Sequence, residues 1–178
     1  GSYNTALGTD ALLSNTTASS NTAVGYQAMY TNTTGAVNTA FGQQALRANT
    51  TAFNNSAFGS AALIANTTGQ YNTGIGAQAL VSNTTASNNT AVGYQAGYTG
   101  TTATSNTLVG KGSGYSATTG SYNTFVGDAA GYYVTTGAKN TILGRYNGNE
   151  GGLDIRTASN HIVLSDGDGN PRVHIDEV

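Results

Sequence analysis

The stretch Asn21-Thr22-Ala23-Val24-Gly25-Tyr26-Gln27-Ala28 returns letter for letter at residues 89–96. Pentads of the same kind begin at Asn4, Asn21, Asn38, Asn55, Asn72, Asn89, Asn106, Asn123 and Asn140, every interval being 17 residues. Four residues after each Asn stands a glycine: Gly8, Gly25, Gly42, Gly59, Gly76, Gly93, Gly110, Gly127 and Gly144. Nine uninterrupted units therefore organise residues 1–149, and chance does not produce such a column. We number positions within a unit from its Asn. Position +3 is always apolar, as in Leu7, Phe41, Ile75 and Leu143, and Thr-Thr occupies +12 and +13 in the first eight units.

A 17-residue period is too short for a pair of helices. Thr-Ala-Val alternates with period two, and Gly and Asn-Thr-Thr-Gly supply turns, so each unit reads as two short strands and two corners. Units of fixed length stack at about 4.8 Å, the strand spacing, into an all-β rod, a parallel β-roll or β-solenoid of nine coils. In such a stack the Asn residues form a ladder, and the glycine marks a backbone conformation or a close approach that other residues resist.

Composition agrees. The chain has 178 residues, 25 Gly, one Pro, no Cys, no Trp and net charge -2. Leu, Ile, Val and Phe make up only about 17% of it, and charged residues 8%. Each coil thus has few large side chains to set against the entropy of ordering its backbone, and burial against partner chains is expected. No apolar run approaches the ~18 residues of a membrane span, so membrane insertion is not expected. The six basic residues are scattered, which gives no stripe for nucleic acid.

The pattern at 21–28 and 89–96 resembles the head repeats of trimeric autotransporter adhesins, the YadA-like haemagglutinin repeats, whose Ser-Val-Ala-Ile-Gly-x-x-Ala signature matches Asn, Thr, Ala, Val, Gly and the Ala at +7. The resemblance implies a left-handed parallel β-roll, three chains about one axis, and binding to host surfaces. The 17-residue period is longer than the family's, the excess falling in the Asn-Thr-Thr-Gly corner. The tail, Gly-Gly-Leu-Asp-Ile-Arg at 151–156 with residues 160–172, is similar to segments near the ends of bacteriophage tail fibres, which are also homotrimers. Together these imply a rigid homotrimeric segment of a virion tail fibre, a spacer for which a host-surface glycan or receptor is the candidate ligand; the alternative is a bacterial cell-surface adhesin head. An ice-binding β-solenoid ranks below both, because adjacent Thr residues on a strand point oppositely.

Composition drifts along the rod. Units 1–5 carry Leu or Met at +8, and units 6–9 carry Gly; in units 7–9 the Ala at +2 becomes Leu108, Phe125 and Ile142. Because +3 is large and always apolar, it is expected to fill the coil. Position +2 is never polar and would then line the trimer axis, with Ala23, Ala57, Ala91, Leu108, Phe125 and Ile142 as the axis residues. Tyr26 and Tyr94 at +5, and Tyr30, Tyr98, Tyr115 and Tyr132 at +9, are the candidate sugar-binding aromatics, and the favoured competing reading is amphipathic rings that cover a thin core.

From Glu150 the register breaks and charge gathers: six of the eight acidic residues lie there or beyond. Residues 150–178 form a second segment. In it 161–165 and 172–176 are expected to pair as a hairpin closing the roll, with Ser165 opposite Arg172 and His161 opposite Asp176. Asp166, Asp168, Asn170 and Glu177 stand at positions 1, 3, 5 and 12 of an EF-hand-like loop, but Pro171 replaces the required Gly, and a polar turn is the better reading. His161 and His174 are read as ordinary strand positions rather than metal ligands. Val109-Gly110-Lys111-Gly112 lacks the upstream Gly of a phosphate loop. Asp10 and Asp128 stand about seven coils, roughly 33 Å, apart, too far for paired-carboxylate chemistry. No catalytic residue, metal or cofactor is assigned, and the expectation is a structural protein rather than an enzyme.

Overall fold

The computed structural model describes residues 1–176, all β and turn with no helix. Each unit contributes one three-residue strand: β1 (Thr5–Leu7), β2 (Thr22–Val24), β3 (Thr39–Phe41), β4 (Ser56–Phe58), β5 (Thr73–Ile75), β6 (Thr90–Val92), β7 (Thr107–Val109), β8 (Thr124–Val126) and β9 (Thr141–Leu143). They follow one another in order through a single parallel sheet. Equivalent residues meet, so Thr22 pairs with Thr39 and Leu108 with Phe125. The chain is a parallel β-solenoid of nine coils.

The expected second strand per unit is absent. Positive φ recurs at every second residue after the strand: in unit 5, Gly76 (φ 128), Gln78 (φ 59) and Leu80 (φ 52). That repeated left-handed turning bends the chain out of extended geometry. The corner is still bonded coil to coil, as in Met29 N–H to Ala45 O at 3.0 Å and Gln27 N–H to Thr9 O at 2.9 Å.

The interior reverses the expected assignment of the strand faces. Ala23, Ala57, Ala91, Phe125 and Ile142 have no exposed surface and Leu108 has 2%, whereas Phe41 is 53% and Leu143 53% exposed. The +2 column fills the coil and cannot line an axis between chains; +3 points out. Size misled the sequence reading. The coil is thin, and its cross-section is already occupied by Leu or Met from +8 and Ala from +7, so only a small residue fits at +2 in units 1–5. Where +8 becomes Gly the space passes to +2: a Cβ on Gly131 would stand 2.5 Å from the Phe125 ring, and one on Gly114 2.7 Å from Leu108. The drift in composition is volume exchanged across one core.

Asn columns close the corners. Asn72 Oδ1 accepts the Asn89 N–H at 3.0 Å, and Asn72 Nδ2 donates to Ala86 O at 2.8 Å. The same pattern runs along the rod, from Asn21 on Asn4 to Asn140 on Asn123. The dominant link is thus backbone to amide rather than amide to amide.

Beyond unit 9, β10 (Asn149–Glu150) and β11 (Leu153–Asp154) make a small antiparallel pair. Then β12 (Ile162–Ser165) stacks in parallel on β9, with Val163 opposite Ile142. That spacing is 21 residues, so the register break is an excursion of four residues (21 − 17) after which the ladder resumes. His161 N–H bonds Asn140 Oδ1 at 2.9 Å, taking the place of the next Asn. Finally β13 (Pro171–Ile175) runs antiparallel along β12, and a register shift sets Ser165 against Pro171 instead of Arg172.

Candidate functional site

The outward row at +3 is the most distinctive surface. Phe41 pairs with Phe58, Phe58 with Ile75, Ile75 with Val92, and so on to Leu143 and Leu164. Of these, Leu7, Phe41, Phe58, Ile75, Leu143 and Leu164 are exposed. The Phe41 and Phe58 rings stack at 6.3 Å. Ile162, Val173 and Ile175 add exposed apolar surface at the far end. An apolar stripe continuous over the length of a rod exceeds the isolated apolar residues of an ordinary surface.

The tyrosines divide. Tyr98, Tyr115 and Tyr132 stack face to face at 4.8 and 4.6 Å, and Tyr133 meets Tyr132 edge-on. The stack occupies both faces of Tyr115 and one face each of Tyr98 and Tyr132. Burial, then the neighbouring Tyr132 and Tyr98, pushes the Tyr115 phenol above its ordinary pKa. Tyr30 is covered by the Arg47 guanidinium, 5.6 Å from the ring centre. Tyr26 and Tyr94 remain half-exposed, on coils two and six. The structure therefore brings together three of the six candidate aromatics, and of the six only Tyr26 and Tyr94 are exposed.

In the turn between β12 and β13, Asp166 Oδ1 accepts the N–H groups of Asp168 and Asn170, each at 3.0 Å, and its Oδ2 binds Arg172 Nε at 2.8 Å. Burial works to raise the Asp166 pKa, but Arg172 and the Asn170 amides outweigh it and hold the carboxyl below its ordinary value. This carboxylate organises a turn. Glu177 lies outside the described residues. Among the described residues no three His, Asp or Glu side chains converge on a point.

His161 Nδ1 and His174 Nε2 stand 2.9 Å apart, with ring centres 5.1 Å apart and planes within 15°. The N···N distance plus a ring radius at each end accounts for the whole separation. The rings therefore lie edge to edge, sharing one in-line hydrogen bond. The Ile162–Ile175 pairing keeps the register that sets His161 opposite Asp176, while the side-chain contact of His161 is with His174.

One structural column escaped the sequence reading. Asn15, Asn32, Asn49, Asn66 and Asn83 at +11 form a second amide ladder, with Asn49 Nδ2 to Asn32 Oδ1 at 2.7 Å and Asn83 Nδ2 to Asn66 Oδ1 at 2.8 Å. Aligning the units by column shows it; reading Asn-Thr-Thr only as a turn hides it. Compared with known protein families, curated proteins and solved structures, the chain shows no match.

Proposed function

We propose that the chain is one of three in a rigid fibre segment of a bacteriophage tail fibre, a spacer that also presents a host-recognition surface. The observation that carries the reading is the outward apolar row at +3. Three such rows converging on an axis would remove Phe41, Phe58, Ile75 and Leu143 from water at every level, which supplies the burial that a thin coil lacks. The strand β13 supports it at the other end: lying along β12, it serves as a cap that covers the sheet edge and blunts end-to-end pairing. The half-exposed Tyr26 and Tyr94, beside Gln27 and Gln95, are the residues offered to a surface glycan.

Light scattering should return three times the 17.9 kDa chain mass. Phe58→Glu and Ile75→Glu should dissociate the assembly, since each places three like charges about the axis. A monodisperse, folded monomer of the unaltered chain overturns the trimer. On a glycan array, loss of signal with Tyr94→Ala supports the recognition role, and absence of any glycan binding by the trimer leaves the chain a spacer alone.

A further inference from the structure

Coil six is where two packing regimes meet, and it is underfilled. Units 1–5 fill the coil with Leu or Met from +8; units 7–9 fill it from +2. Unit 6 has Ala91 at +2 and Gly97 at +8, small on both sides. Leu80 and Leu108 lean into the space at Gly97, and a void of about 10 Å³ lies beside them, lined by Leu80, Asn83, Gly97, Gly100, Ala103 and Leu108 among others. That is about the volume that admits one water molecule.

The second Asn ladder ends at the same place. In each unit from the second to the fifth, the +11 amide nitrogen donates twice: to Oδ1 of the Asn one coil earlier and to the carbonyl at +14. For Asn83 these bonds are 2.8 Å to Asn66 Oδ1 and 3.1 Å to Ala86 O. In unit 6 the +11 position is Gly100. Asn83 is 1% exposed, yet no side-chain amide takes the next rung on its Oδ1. Ala103 O, the matching +14 carbonyl, keeps only its bond from Asn89 Nδ2 at 2.8 Å. Two acceptors are thus left facing a space from which their shared donor is missing.

We propose that this void is a built site for a single water molecule, which stands where the amide nitrogen of residue 100 would be. The water gives one hydrogen to Asn83 Oδ1 and the other to Ala103 O, repeating the two donations that each Asn of the ladder makes. A donor is required because both groups accept only, and buried acceptors without partners are costly. An apolar occupant would leave Asn83 Oδ1 without a partner and Ala103 O with one bond where the equivalent Ala86 O has two.

A crystal structure at atomic resolution, taken on the full chain, should show water density within hydrogen-bond distance of both oxygens. Gly100→Asn should displace it, because its own amide completes the ladder, and should raise the melting temperature by about 2–4 °C. Residue 100 has no positive φ, and its Cβ would meet nothing closer than Ala117 O at 3.0 Å. Gly100→Ala also intrudes on the void but brings no donor, and it should lower the melting temperature. An empty site in the crystal overturns the proposal, as does an alanine variant stabilised as much as the asparagine one.

Discussion

The glycine at +4 is a point of close approach between neighbouring coils. Gly76 has φ +128, and a Cβ there would lie 2.5 Å from Gly93 O in the next coil. Gly76→Val therefore combines a conformation closed to branched residues with a backbone clash, and should cost more than ~2 kcal/mol. Thermal unfolding followed by circular dichroism measures it; an unchanged midpoint would reject the close approach. Tyr146 is a second informative residue, fully buried with its hydroxyl donating to Leu153 O at 2.8 Å. Burial, with Asp154 adding to it, raises its pKa from 10.0 to about 12. Between those values the folded chain keeps a proton that the unfolded chain releases, so stability is intact below pH 10 and declines from about pH 10 to 12. Tyr146→Phe should flatten that decline while lowering stability at neutral pH through the lost hydrogen bond. An unaltered alkaline slope would show that Tyr146 is not the group concerned.

Within a coil, the sequence states the quantity that must be conserved but not the side on which it lies. Phe125→Ala should destabilise by about 3–5 kcal/mol, the usual cost of emptying a buried aromatic site. Adding Gly131→Leu should recover most of that, because Leu at +8 with Ala at +2 is the packing of coils three and four. Residue 131 already has φ 62, close to the φ 53 of Leu63. A double-mutant cycle with no coupling would disprove the exchange. The period, the glycine column and the Asn staple were legible in the sequence because each repeats in a fixed place. The face of the strand was not, since Thr-Ala-Val is apolar on both sides and residue size favoured the wrong one. The corners were also hidden: left-handed φ falls on Gln78, Leu80 and even the β-branched Val37 (φ 59), residues that carry no turn signal.

For the whole rod, a coil deals only with its two neighbours, and units are therefore removable where those neighbours agree. Deleting residues 38–54 joins units two and four, which share one packing mode, and should give a folded rod with a slightly lower melting temperature. Deleting residues 89–105 should be far more damaging. A Cβ on Gly97 would stand 2.9 Å from Leu80 and 3.0 Å from Leu108, so those two side chains would be driven into the same space. Equal tolerance of both deletions would show that coil six is not a spacer between the two modes. The uniform parallel register has a kinetic consequence as well. Each strand of the repeat meets a partner 17 residues away, so the mean separation of contacts is about a tenth of the chain length, a value typical of fast-folding helical bundles rather than of β-sandwiches. Once a first pair of coils has formed, each later rung closes a loop of the same size, and a rod many times longer would grow at the same entropic cost per rung.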